Sequence, residues 1–333
     1  MNISSLVDLI DGDLKNPPSI SFVYNIQTDV ERLKNGDLFI SNNETNIKKA
    51  VEKGAFGIVY QSDLINITDK EIAWIKVKDI EEAIIKISRY VLSNLELNIF
   101  YVDEVVLDII DLCIGHGGYV YINDDISTEL SKIQAIEPNQ LVLSTDKILL
   151  QKIYPSYKNF PIKNYNLSNI TIHSIFETTF SYNGILYSRA KIPFFYIDLF
   201  LSIVEYLKIE NPINDISGFK KWNLLSPIFI NKSFKQIDFG RSDKFIISTK
   251  SINRAITALS HIQKNFKYGK VHILLDKSYS KLIKNAFFYE DAEELEFFIK
   301  TLSYNLLYIV GASSEDIISI LQKTQQGPTL FDN

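Results

Sequence analysis

The sequence predicts an α/β protein built from mostly parallel sheets. Two observations carry the prediction. Short apolar runs alternate with stretches whose apolar residues recur at helical spacing. Hydrophobic residues make up 46% of the 333 positions against 23% charged, enough apolar material for sizeable cores. At about 100–200 residues per domain, that length fits two or three domains.

Residues 1–95 read as one α/β unit. Ser19 to Asn25 is an apolar run after Pro17-Pro18 and reads as a strand. Gly36-Asp37 forms a turn before the strand Leu38 to Ser41. Asn46 to Lys53 is helical, with Ile47, Ala50 and Val51 on one face, and Gly54 stops it. Phe56 to Tyr60 and Ala73 to Val77 are strands, and Ile80 to Leu92 is an amphipathic helix.

Residues 96–210 read as a second unit. Leu97 to Val102 is a strand and Glu104 to Ile114 a helix. Tyr119 to Ile122, Gln140 to Ser144 and Asn169 to Ile175 are strand candidates. Thr178 to Tyr187 is a hairpin around Asn183-Gly184, because that dipeptide tolerates the positive φ a tight turn demands. Ile192 to Ile209 is a helix with Pro193 in its first turn.

Residues 211–323 read as a third unit, joined through Asn211-Pro212 and Ser217-Gly218. Strands fall at Lys244 to Ser248, Lys270 to Leu275, Phe287 to Tyr289 and Leu306 to Val310. Helices fall at Ile252 to Lys264, Lys277 to Ala286, Ala292 to Leu302 and Ser314 to Lys323. The residues from Thr324 to Asn333 read as a polar, loose tail.

Charge and cysteine usage exclude several classes. With 35 Lys+Arg against 40 Asp+Glu the net charge is −5, so there is no basic field for bulk nucleic-acid binding. A single cysteine allows no internal disulfide and argues against structural zinc. The first twelve residues lack a basic segment, and Asp8 and Asp11 interrupt their apolar character, which argues against a secretory signal. The most apolar stretch, Ile192 to Ile209, carries Asp198, Glu205 and Lys208 and reads as a buried helix rather than a membrane span. The expected location is cytoplasmic.

An ordered set of motifs in the first unit resembles a known family. Thr28-Asp29 is followed by Gly36-Asp37-Leu38-Phe39-Ile40, then Lys49-Ala50 through Gly54-Ala55-Phe56-Gly57-Ile58-Val59, then Val77-Lys78-Asp79 to Ala83. This resembles the N-terminal domain of the Mur ligases, especially those adding the third amino acid or the final dipeptide to UDP-N-acetylmuramoyl peptides. Further along, Ile192 to Ile209, Gly240-Arg241 before Phe245 to Ser248, and Leu306 to Leu321 around Gly311-Ala312-Ser313 fit the later domains of that family more loosely. The resemblance implies a three-domain architecture: 1–95 N-terminal-like, 96–210 a degenerate, truncated ATPase-like centre, 211–323 a C-terminal α/β domain, and 324–333 a flexible tail. It also implies a link to peptidoglycan precursor metabolism.

The chemistry of those ligases needs a glycine-rich loop between the first central strand and its helix, with a Lys for charge and a Ser or Thr for Mg²⁺. Here Val102-Asp103 runs straight into Glu104, with no glycine and no lysine. Gly115-His116-Gly117-Gly118 has the reverse order, helix before and strand after, and reads as an ordinary turn. The Ser-Arg pair that follows Thr-Asp in the family is Val30-Glu31, with Arg32 one position later as a substitute. The residues carried over to substrate binding are therefore Thr28, Asp29, Arg32 and Asn46, as positional equivalents.

No catalytic residue is assigned. Asp103-Glu104 with Asp108, and Asn123-Asp124-Asp125, have the ligand type for Mg²⁺ or Ca²⁺, but helix starts and turns explain them more simply. His116, His173, His261 and His272 are scattered without metal-ligand spacing, so no metal is expected. Cys113 sits on an apolar helical stripe as a structural thiol. The leading expectation is a non-catalytic Mur-like protein that binds a peptidoglycan precursor or another cell-wall enzyme and carries no cofactor. An active ATP- and Mg²⁺-dependent amide ligase with a divergent nucleotide site is the alternative, and a pure protein-interaction module the second.

Overall fold

In a computed structural model of the chain, the described residues are 1–63, 65–209, 225, 227–265, 269–279 and 286–323. The joint expected at Asn211-Pro212 and Ser217-Gly218, the second half of the helix expected over 277–286, and the tail 324–333 lie outside them. Two compact units emerge: Met1–Asp103 with Ile114–Phe160, and Glu104–Cys113 with Pro161–Asn333.

In the first unit, β1 (Asp13–Leu14), β2 (Ile26–Gln27), β3 (Leu38–Ile40), β4 (Gly57–Tyr60) and β5 (Ala73–Lys76) form a sheet in the order β1-β5-β4-β3-β2. All neighbours are parallel except β1 with β5. A sheet with helices on both faces needs strands that are apolar on both sides, and β3 and β4 are buried at every residue. Alternation sorts the side chains. Leu38, Ile40, Val59 and Ile75 join the core beneath α1 (Ile3–Leu9) and α3 (Ile80–Ser93). Phe39, Ile58, Tyr60 and Trp74 face the other way, toward Ile47 and Ala50 of α2 (Glu44–Glu52).

A second sheet of the same unit has the order β7-β8-β6-β9, all parallel: β6 (Asn98–Tyr101), β7 (Val120–Tyr121), β8 (Leu141–Ser144) and β9 (Lys158–Asn159). Helices α5 (Ile126–Gln134) and α6 (Lys147–Ile153) connect its strands and share one core with the first sheet through Leu130, Ile133, Leu150 and Ile153.

The second unit contains α4 (Glu104–Ile114) and an antiparallel sheet of β10 (Ser168–Ser174), β11 (Glu177–Tyr182) and β12 (Ile185–Ala190). Asn183 (φ 50°) and Gly184 (φ 77°) make the expected tight turn between the last two. After α7 (Ile197–Tyr206) comes a sheet in the order β13-β14-β17-β15-β16, built from β13 (Ile228–Phe229), β14 (Phe245–Thr249), β15 (Val271–Asp276), β16 (Phe287–Tyr289) and β17 (Leu306–Val310). Only β13 runs antiparallel. Helices α8 (Ile252–Asn265), α9 (Ala292–Thr301) and α10 (Ser314–Lys323) follow β14, β16 and β17.

Some local expectations change. Ser19 to Asn25 is not a strand; it contributes one bridge, Phe22 to Asn2. Of that apolar run only Val23 is buried, while Phe22 and Tyr24 face solvent at 45% and 62% exposure. The helix read from Ile192 begins later, because Pro193 leads into a 3-10 turn, Phe194–Tyr196, before α7.

Gly311 illustrates how tight the carboxyl edge of the last sheet is. Its φ is +107°, and a Cβ there would lie 2.5 Å from the Asp276 Cβ and 2.9 Å from the Tyr289 hydroxyl. That hydroxyl is itself committed, donating to the Val310 carbonyl at 3.0 Å. Gly311→Ala is expected to destabilise the protein by about 2–4 kcal/mol, read as a lower midpoint in urea unfolding. An unchanged midpoint contradicts the geometry.

Candidate functional site

The segment carrying Thr28, Asp29 and Arg32 is shaped by a buried carboxylate. Asp37 is 1% exposed. Its Oδ1 accepts from the Asn25 backbone N–H and the Asn25 amide, both at 3.2 Å, and its Oδ2 from the Lys34 N–H at 3.0 Å. These bonds tie the two ends of the loop from residue 25 to residue 37. Gly36 completes the closure with φ +91° and its N–H on the Gly54 carbonyl at 2.9 Å. The Gly-Asp pair of the sequence motif is thus a structural clamp.

Within the loop, Asp29 Oδ1 accepts from Glu31 N–H at 2.9 Å, and Arg32 Nε lies 3.6 Å from Asp29 Oδ2. Lys53 reaches in from the end of α2, donating to the Val30 carbonyl at 2.8 Å and pairing with Glu31 at 3.1 Å.

The other contacts of the loop go to α5. Thr28 Oγ1 donates to the Ser127 carbonyl at 2.7 Å. Arg32 Nη1 donates to Ser131 Oγ at 3.1 Å. Gln134 completes the set: its Oε1 accepts from Ile26 N–H at 3.1 Å and its Nε2 donates to the Ile26 carbonyl at 2.7 Å, so one amide side chain pairs the backbone of edge strand β2 as a neighbouring strand would. Sequence reading missed Ser127, Ser131 and Gln134, which are 99 to 108 residues from their partners. Asn46 stands apart, in the first turn of α2, where its N–H is received by the helix cap Asn43 at 3.0 Å.

The acidic stretch Asn123-Asp124-Asp125 starts α5. Asp125 caps the helix, and the Thr128 hydroxyl, followed by the Ser127 N–H, holds its carboxyl below the usual range. Asn123 and Asp124 donate their N–H groups to the fully buried Glu129, which pairs with Lys132 at 3.0 Å. A pocket of 350 Å³ lies where α3, α5 and α6 begin. Glu81, Asp124, Asp125 and Asp146 line it against one cation, Lys152, which sits 2.7 Å from Glu81. Among the described residues no group of three or more His, Cys, Asp or Glu has the geometry to hold a metal ion.

Strand β6 ends at Tyr101 and α4 begins at Glu104, leaving Val102 and Asp103 between them. In the second unit, Arg254 of α8 binds the start of α4: Nε to Glu104 Oε2 at 3.0 Å, Nη2 to the Glu104 carbonyl at 3.2 Å, and Nη2 to Asp108 Oδ2 at 2.6 Å. Burial raises the Asp108 carboxyl above its ordinary value, with Arg254 pulling in the opposite direction. At the far end of α4, burial pushes the Cys113 thiol up to about 12. After Gly115, His116–Gly118 form a 3-10 turn that leads into β7, the order read from the sequence.

No protein-family model matches the chain, and no curated protein matches it. Solved structures do. A MurF from Acinetobacter baumannii superposes with a TM-score of 0.51 at 9% identity, over 97% of this chain and 98% of that one. The fold is that of the Mur ligases. The MurF ligase from Thermotoga maritima in complex with ADP gives 0.49 at 11% identity, over 91% and 97%. The UDP-N-acetylmuramate-alanine ligase MurC from the same organism gives 0.39 at 11%, over 92% and 98%. At 9% identity the Acinetobacter baumannii likeness speaks for the fold alone, with its mixed, mostly parallel sheets. Among the described residues no helix is long and apolar enough to cross a membrane.

Two outcomes test this geometry. Gln134→Leu leaves both backbone groups of Ile26 unpaired and is expected to destabilise by about 1–3 kcal/mol in urea unfolding; a neutral result refutes the edge pairing. Arg254→Met costs about 1 kcal/mol at pH 7, since its ion pairs are partly exposed to water. It also leaves Asp108 raised by burial and by the neighbouring Glu104 and Asp111 carboxylates, with no cation opposing them. A group whose folded pKa lies above its unfolded value binds more protons when folded, so stability falls as pH rises through that interval. The variant should therefore lose stability more steeply than wild type from about pH 4 upward; parallel pH profiles would contradict the pairing.

Proposed function

We propose that this protein is a non-catalytic relative of the Mur ligases, acting in peptidoglycan precursor metabolism by binding a precursor or another cell-wall enzyme. One observation carries the non-catalytic reading. Where a nucleotide-binding strand opens through glycines into its helix, β6 passes through Val102-Asp103 into Glu104. The first two turns of α4 present carboxylates, Glu104 and then Asp108, that Arg254 already occupies. A triphosphate brought there would meet like charge, and the guanidinium that offsets it is engaged.

The fold supports the link to precursor ligases, and Thr28, Asp29, Arg32 and Asn46 are the residues we assign to precursor contact. Asp29 and Arg32 are exposed, so a ligand can reach them.

Calorimetric titration tests the reading. The full chain is titrated with UDP-N-acetylmuramoyl peptides and, separately, with Mg-ATP. The expected outcome is heat with the precursor, none with ATP, and about tenfold weaker precursor binding for Arg32→Ala. Micromolar ATP binding would overturn the non-catalytic assignment and favour a ligase with an unconventional phosphate site. Silence with both ligands would leave an enzyme partner as the remaining form of the proposal, tested by co-purification with the chain's cell-wall ligases.

A further inference from the structure

The antiparallel sheet of the second unit has an open side. Strand β10 borders β11, and no other strand flanks it among the described residues. Ser168 through His173 are all exposed. Natural edge strands are commonly protected by a charge or a proline. Ser168-Asn169-Ile170-Thr171-Ile172-His173-Ser174 contains neither.

The side chains of β10 sort onto two faces. Asn169 Nδ2 donates to Ser181 Oγ at 3.0 Å, and His173 Nε2 lies 2.8 Å from Thr179 Oγ1. Thr171 is in register with Thr179, so Asn169, Thr171 and His173 share a polar face. Ile172 is in register with the fully buried Thr178 on the opposite face. That face is apolar: Phe180 and Tyr187 are buried and stack at 4.6 Å with an interplanar angle of 4°. The apolar layer reaches the edge strand and stops there uncovered, with Ile170 44% and Ile172 46% exposed.

The residue order says what would cover it. About Thr171 the strand reads nearly the same in both directions: Ile170 against Ile172, a hydrogen-bonding Asn169 against His173, Ser168 against Ser174. An antiparallel pair related by a two-fold axis sets each residue opposite its mirror position. Two β10 strands paired about Thr171 would place Ile170 of one copy against Ile172 of the other, and polar against polar on the reverse face. An unrelated extended peptide has no reason to match both faces in one register.

We propose that β10 is a self-pairing edge, through which two copies of this chain join their three-stranded sheets into one continuous antiparallel sheet. The left-handed Asn169 (φ 52°) and the irregular register beside Ser168 and Ser174 confine regular pairing to the centre of the strand. The interface is therefore small and the association reversible. This inference does not rest on the proposed function.

Sedimentation equilibrium of the full chain between about 1 and 500 µM tests it. A concentration-dependent monomer–dimer equilibrium is expected for the wild type. Thr171→Lys and Thr171→Glu each set like charges across the dyad and should weaken dimerisation by about tenfold or more, with unchanged thermal midpoints because Thr171 is exposed. An equimolar mixture of the two variants places opposite charges across the dyad and should recover dimers. A wild-type chain that stays monomeric throughout, or dimers that both variants leave intact, would overturn the proposal. Mixtures that fail to recover would overturn the Thr171-centred register.

Discussion

A helix that follows a parallel strand starts with N–H groups that have no partner in the helix, and in this chain the protein's own oxygens take them. Asp79 accepts from Glu81 and Glu82, Asp125 from Ser127, Asp146 from Ile148 and Leu149, and Asp291 from Glu293 and Glu294. In the first turn of α10, Asp316 accepts from the Ser313 N–H and hydroxyl. The carboxyl edge of a parallel sheet gathers such helix starts, and with them the partial positive charge that attracts phosphates. Here that edge is satisfied internally and carries negative charge. The same choice gives the helices their ends and makes the starts of α3, α5 and α6 a poor place for a free anion.

The layered plan was readable because it rests on local patterns. The continuous apolar runs of β3, β4 and β5, the Asn183-Gly184 turn and the Gly36-Asp37 turn are each written within a few residues. What escaped reading has the opposite character. Helix α5 has only nine residues, and α6 is an Ile-Leu-Leu run that periodicity cannot distinguish from a strand. The docking of Thr28 and Arg32 on α5 joins residues 99 apart, and Gln134 meets Ile26 across 108. Ser19 to Asn25 failed for a related reason: apolar composition does not say which residues find a neighbour, and Tyr24 spends its ring on Phe22 and Phe56 at the surface.

One junction carries the proposed loss of nucleotide chemistry. The β6–α4 connection, Val102-Asp103, contains neither the glycines nor the lysine of a phosphate loop. The substrate-type residues divide in the same way. Thr28 and Arg32 hold α5, Asp29 shapes its own turn, and Asn46 belongs to the start of α2. A motif that resembles one of a ligase family thus has work to do in the scaffold itself. Asp37, the most buried carboxylate of the motif, serves the loop rather than a ligand.

Cys113 has a practical consequence. It is the chain's sole cysteine, and burial keeps its thiol protonated far above neutral pH. Maleimides and other thiolate-seeking dyes should therefore react slowly with it. Gly117, where an added Cβ meets no atom within 4 Å, offers a place to install a second cysteine. A fluorophore or spin label attached there under brief labelling would report from a known position.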